Sequence, residues 1–499
     1  MKIIKDILII VTFFIVVSCK QETQYSEKKP IVVTGKIHKY NGKNAALSFV
    51  YSQPGVNEST ELVEIDSAGN FGYTIEGYIP LDAMLLEQTT FANIYFIYHP
   101  GDSIHIEFEA NNKSIELTKT IKYSGSRATT NNQIINFQVL REENNLGYGA
   151  IDEAKSYQKD LADFILEMNA VKEKQLNIYN SFIEEYSPSE EVKSWTRLFA
   201  LETYYYFLDK YSWENTNLPD NYFDYNREIL PITMDKLIGW HVLEKRITSY
   251  LQTNLFPKFA KQYPDIDLIQ SLTDKTSKSD SLFIEFVRDN YTDDLLGQLT
   301  YSGLYKSLFS MNSLESYQRN QVAIKEELSA PFILNPLQES YHKTQEIINS
   351  PEEKTAVILK KMVGSPIEET FNKILDTNKG KVIYLDFWAT WCKPCIEEMP
   401  SSNLLMSKLE QQGVAFVYVS IDENEEKRKK LLSEFDIDRG QHYPLDSKQV
   451  QALFDVFQFN GIPYYILIDK NGQIMERGNQ LSPSMKSTEE KITDLLNEI

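Results

Sequence analysis

Lys381-Val382-Ile383-Tyr384-Leu385-Asp386-Phe387 is an almost unbroken apolar run, and Trp391-Cys392-Lys393-Pro394-Cys395 follows it after three intervening residues. So short a run, apolar at nearly every position, reads as a strand covered on both faces, as in a parallel sheet. Two further runs, 414–419 and 464–468, alternate with helical patterns over 395–411, 425–435 and 449–459. Lys470-Asn471-Gly472 then turns the last strand into Gln473-Ile474-Met475, and a terminal helix closes the chain. Strands alternating with helices over about 356–499 predict an α/β domain.

The two cysteines stand where that strand gives way to a helix. A Cys-x-x-Cys at a helix N-terminus brings two sulfurs within bonding range, and the dipole and free amides there stabilise a thiolate. Cys392 is therefore expected to be the exposed nucleophile, with Cys395 one turn deeper as the resolving thiol. Lys393 adds a positive charge that favours the Cys392 thiolate. A zinc site would need two more thiols or imidazoles, and His442 is the one histidine of 356–499. A purely structural bridge across two residues would constrain little of the unfolded chain.

Asp386-Phe387-Trp388-Ala389-Thr390-Trp391-Cys392, Pro400 and Gly461-Ile462-Pro463 ahead of a strand together resemble the thioredoxin superfamily, and within it the TlpA/ResA-like thiol-disulfide oxidoreductases. The resemblance covers about 356–499. It implies a thioredoxin-like fold, a redox-active Cys392–Cys395 pair and a buried proton-handling carboxylate at Asp386. It also implies a tuning acid at Glu398 and a helix kink at Pro400. Pro463 falls at the family's cis-proline, with the Ile462 backbone pairing an extended substrate strand. Trp391, Lys393 and Pro394 support the site. Lys393 stands where many thioredoxins have glycine, which leaves the redox poise open, while Pro394 and Asp386 favour a reductant.

At the other end, two lysines precede an apolar run from Ile7 to Val17, too short to span a bilayer but suited to a secretory signal. Val16-Val17-Ser18-Cys19 resembles the lipobox of bacterial lipoproteins, implying lipidation of Cys19. The expected organisation is a signal segment (1–19), a tether (20–29), a β-sandwich (30–125), an α-helical region (126–355) and the thioredoxin-like domain (356–499). The β reading rests on Ile31-Val32-Val33, on 46–50, on the strict alternation of 104–108, and on a hairpin about Asp66-Ser67-Ala68-Gly69-Asn70. It resembles the β domain preceding thioredoxin-like domains in lipoproteins of Bacteroidetes-type bacteria. Amphipathic helices are expected near 157–186, 189–211, 236–254 and 281–290. The aromatic group Tyr204–Phe207 is assigned to helix contacts, and His241 and His342 to structural roles.

A net charge of −20, from 71 acidic and 51 basic side chains, disfavours nucleic acid as a partner. A peroxidase needs Pro-x-x-x-Thr/Ser-x-x-Cys, and Leu385 and Ala389 occupy those places before Cys392. The expected function is a lipid-anchored, periplasm-facing oxidoreductase of the cell envelope that reduces protein disulfides. It would need no cofactor or metal and would be recharged by a membrane-bound electron donor. An oxidase or isomerase of the same fold, or a binding lipoprotein on an inherited scaffold, are the alternatives.

Overall fold

The computed structural model describes residues 25–42, 44–215, 218–266, 280–290, 294–310, 313–349, 351–422, 424–457 and 461–497. The signal segment 1–19 with Cys19, and residues 20–24 of the tether, lie outside them. Two compact units divide the described chain. The first runs to Lys306 and takes in Glu315–Ser340; the second holds Ser307–Leu314 and continues from Tyr341.

The first unit opens with two four-stranded sheets, in the orders β4-β1-β7-β8 and β3-β2-β5-β6. The strands are β1 Lys29–His38, β2 Leu47–Gln53, β3 Val56–Val63, β4 Asn70–Gly77, β5 Leu81–Glu87, β6 Ala92–Tyr98, β7 Ser103–Glu109 and β8 Lys122–Gly125. The sheets meet through aromatic side chains, Phe49 stacking on Tyr73 at 4.5 Å, and the Tyr123 hydroxyl donates to the Tyr95 carbonyl at 2.8 Å.

The Asp66 turn forms, its carboxylate accepting from the Ala68 and Asn70 amides at 2.9 and 2.8 Å. Gly69 takes a left-handed φ of +84° there, and an added Cβ would come within 2.5 Å of the Ile37 carbonyl oxygen. The expected hairpin is not made, however. Beyond one bridge, Ile65 to Phe71, β3 pairs with β2 while β4 pairs with β1 over eight residues. The turn passes the chain from one sheet to the other.

Helices follow: α1 Ala128–Glu143, α2 Leu161–Tyr186, α3 Glu190–Glu214 and α4 Trp240–Tyr250. Asp160 and Ser189 cap α2 and α3 by accepting from Asp163 N and Val192 N. Helix α1 covers the open edge of β6: Asn131 pairs both the amide and the carbonyl of Ile97, and Gln138 donates to the Asn93 carbonyl. An edge strand covered in this way cannot recruit another chain. Tyr204, Tyr205 and Phe207 are buried in a cluster with Phe164 and Tyr211, the use expected for them. His241 pairs with the Asp82 carboxylate on β5, which also accepts from Trp195 Nε1 at 2.8 Å.

The second unit is a five-stranded sheet in the order β11-β10-β9-β12-β13. Its strands are β9 Val382–Trp388, β10 Val414–Ser420, β11 Gln441–Pro444, β12 Tyr464–Ile468 and β13 Ile474–Arg477. β9 and β10 are buried at every residue and run parallel, as the apolar runs predict. The sheet is nonetheless mixed, because β12 lies antiparallel to β9 and β13 antiparallel to β12. A run buried on both faces reports cover and not strand direction.

Side-chain alternation divides β9 between two cores. Ile383, Leu385 and Phe387 pack with Phe371 and Ile374 of α5 (Glu368–Thr377) and with Leu453 and Phe457 of α8 (Ser447–Phe457). Tyr384 and Trp388 pack with Met399 and Met406 of α6 (Lys393–Leu409) and with Ile492 of α9 (Lys486–Asn497). Helix α7, Glu425–Glu434, joins β10 to β11. Among the described residues no helix is long and apolar enough to cross a membrane.

Candidate active site

Cys392 is the N-cap of α6, and its sulfur accepts from the Cys395 amide at 3.2 Å. Pro394 sits in the first turn, where a missing N–H costs nothing. Cys392 and Cys395 are bonded as a disulfide with their Cα atoms 5.3 Å apart. A sulfur already held by an amide at a helix N-terminus is poised to be a thiolate once reduced.

Each cysteine is only 4% exposed, whereas Trp391 is 65% exposed. The exposed Cys392 expected from sequence is thus not found in this oxidised state. Each sulfur is engaged by the other, and both belong to the core under α6. The side chain of Lys393 is not among those described, and Pro400 lies inside α6 as expected.

The loop before Cys392 is held by a residue that the sequence reading missed. Asp422, buried just beyond β10, accepts from Thr390 N at 2.5 Å and from Asn424 N at 3.0 Å. Ile421 N and Cys392 N complete the clamp by donating to the carbonyls of Trp388 and Ala389. The available signal was an acid two residues after a buried strand and two residues before the Asn424 helix cap.

Asp386 points to the same face as the sulfurs, flanked in register by Tyr418 on β10 and Tyr465 on β12. Its residue is 8% exposed and its Oδ1 has no hydrogen-bond partner. Burial, and then the charge of Glu398, push its carboxyl up to about 8. Glu398 itself lies on α6, where it accepts from the Ser484 amide at 3.0 Å and the Ser484 hydroxyl at 2.8 Å. The Ile462–Pro463 bond is cis. Tyr464 pairs with Phe387, so the register carries Pro463 toward the Trp388 end of β9, from which the cysteine loop departs. The fold thus gathers Cys392, Cys395, Asp386, Glu398 and the Ile462–Pro463 loop at one end of one sheet. Among the described residues no cluster of three or more histidine, cysteine, aspartate or glutamate side chains is placed to hold a metal.

A disulfide capping a helix above a buried acid, on a mixed sheet covered by helices on both faces, defines a thioredoxin-like domain. The family profile described as Thioredoxin-like matches residues 380–474. Thiol-disulfide oxidoreductase ResA of Geobacillus thermodenitrificans (strain NG80-2) is 32% identical over 126 residues, covering 24% of this chain and 70% of that protein. ResA of Bacillus anthracis is 32% identical over 117 residues, covering 23% of this chain, which thus spans 65% of that relative's length. The crystal structure of the thioredoxin domain of a thiol-disulfide oxidoreductase from Bacteroides vulgatus is 24% identical, covering 25% of this chain and 84% of that one, with a TM-score of 0.22. The chain belongs to the thiol-disulfide oxidoreductases of the thioredoxin superfamily.

Proposed function

We propose that this protein is a reductase of protein disulfides working through the Cys392–Cys395 pair. The observation that carries the reading is a disulfide at a helix N-cap set over a buried carboxyl, which burial pushes up to about 8. In the reduced protein the Cys392 thiolate attacks a client disulfide and forms a mixed disulfide. Cys395 then gives its proton to Asp386 and attacks Cys392, releasing the client as a thiol. Glu398 holds the acid's pKa up. Ile462 pairs the extended client backbone, and Trp391 stands exposed beside it. A groove of about 580 Å³ lined by Trp391, Thr390, Ile421 and Leu445 gives room for the client's side chains. Lys393 and Pro394 tune the pair. Cys19 carries the lipid that holds the protein in the cell envelope facing the periplasm, where a membrane-bound donor re-reduces the pair, and the sheets and helices of 30–355 select clients.

The full chain should reduce insulin-type disulfides with electrons from a small dithiol, and Cys392→Ser should abolish turnover. Activity that survives Cys392→Ser sinks the mechanism. The reduction potential decides direction. The span from a thioredoxin-like value near roughly −270 mV to an oxidant's near roughly −120 mV is about 7 kcal/mol for two electrons. A potential at the oxidising end would favour the oxidase or isomerase reading. Absence of any thiol–disulfide titration would leave a binding lipoprotein.

A further inference from the structure

A client joined to Cys392 brings the residues beside its own cysteine onto Trp391, which precedes Cys392 and is exposed. The groove that Trp391 borders is mostly apolar. Ile421 at the end of β10, Leu445 after β11 and Val450 on α8 line it, and its volume of about 580 Å³ is that of a small-ligand site. An exposed aromatic ring beside such aliphatic side chains suits the docking of an apolar side chain.

Two charged residues line the same groove, and they differ in what they already hold. Asp422 is buried, and both of its carboxylate oxygens are taken by backbone: Oδ2 accepts from Thr390 N at 2.5 Å and Oδ1 from Asn424 N at 3.0 Å. Lys427, in the first turn of α7, is exposed, and its ammonium has no hydrogen bond or ion pair among the described residues. The charges next to it are spent. Lys429 pairs with Glu425, and Arg428 donates to the Asp422 carbonyl at 3.1 Å. Glu425 and Glu426 stand two and one positions before Lys427, which round a helix do not face it, whereas Lys430 stands three on and shares its side. A chain of net charge −20 thus presents a positive edge beside its redox pair.

We infer that Lys427 is a specificity-determining residue of the exchange reaction, selecting extended client segments with an apolar side chain next to the cysteine and a carboxylate beyond it. The inference rests on the proposed thiol–disulfide exchange and deepens it by naming the client class. The apolar side chain leaves water against Trp391, Ile421, Leu445 and Val450, and the carboxylate meets the Lys427 ammonium. The acid has to lie close to the cysteine, because at longer range the net charge of the chain favours basic clients. Lys427 acts on capture of the client and not on the bonds exchanged, so its effect falls on KM.

The test is steady-state reduction by the full chain, with a small dithiol as electron source, of three disulfide-linked peptides. They differ beside the cysteine, carrying leucine and glutamate, leucine and lysine, or serine and glutamate. The kcat/KM for leucine and glutamate should exceed that for leucine and lysine about fivefold, the scale of one exposed ion pair. It should exceed that for serine and glutamate about tenfold, the scale of a partly buried leucine. Lys427→Glu should reverse the charge preference through KM, and Lys427→Arg should keep it. Lys427 is exposed, so neither change burdens the core. Equal values for any two peptides in wild type, or a preference for glutamate that persists in Lys427→Glu, would overturn the inference while exchange continues. So would reduction of hydroxyethyl disulfide, which has no side chain to place in the groove, with no peptide reduced. A wild-type chain that reduces neither would overturn the exchange reading itself.

Discussion

The residue with most leverage on this chain is Asp386. An acid inside a strand buried at all other positions is costly, and the fold meets that cost by keeping it protonated. The sign follows directly. Unfolded, the carboxyl ionises near pH 4; folded, it keeps its proton until about 8. Its contribution to stability is full below the lower value and is lost as pH rises through the upper one. Asp386→Asn should therefore stabilise the protein increasingly from pH 4 to 8, by up to about 6 kcal/mol at about 1.4 kcal/mol per unit, and denaturant titrations across pH will measure it. The same variant should flatten the rise of exchange rate toward pH 8. A substitution without effect on stability at pH 8 would show that Asp386 is ionised there at no cost. Asp386 was legible in sequence through the resemblance, which puts a buried carboxylate at its place in the strand. Its neighbours Tyr418 and Tyr465 were not, since register alone brings them alongside it.

At the scale of elements, the cysteine loop depends on the end of β10. Asp422→Ala leaves the amides of Thr390 and Asn424 without their acceptor. An orphaned buried donor costs about 1–3 kcal/mol, so a loss of about 2 kcal/mol in stability is expected, with faster hydrogen exchange at the Thr390 amide. Asp422→Asn, which keeps one acceptor oxygen, should lose less. Equal exchange at Thr390 in wild type and alanine variant would remove the clamp. Apart from β11, for which no apolar run was read, the strands and helices of 382–497 fall close to where apolar runs and helical periodicity put them, because each is determined by its own local pattern. The direction of β12 and the parting of β3 from β4 were not legible. A period of two says which residues share a face but not which strand lies beside them.

Across the whole molecule, the first unit is joined internally through Asp82. That carboxylate on β5 accepts from Trp195 on α3 and from His241 at the start of α4. Trp195→Phe empties one of these bonds inside a core where the side chain is fully buried. The change should cost about 1–3 kcal/mol in the unfolding transition of that unit, read by near-UV circular dichroism against denaturant. The reduction potential of Cys392–Cys395 should not move, and a shifted potential would contradict the separation into two units.

The amino-acid sequence by itself determined the cysteine pair, the buried strand that presents it and the helix it caps, because each is a local pattern of apolarity, turn chemistry and spacing, and the resemblance those patterns carry picked out the acid within that strand. The tertiary structure alone decided that Glu398 reaches Ser484, that Asp422 holds Thr390 and that His241 answers Asp82. Those partners lie 86, 32 and 159 residues apart. Over such distances no chain periodicity links two side chains, and only the packing of one element on another brings them within a hydrogen bond.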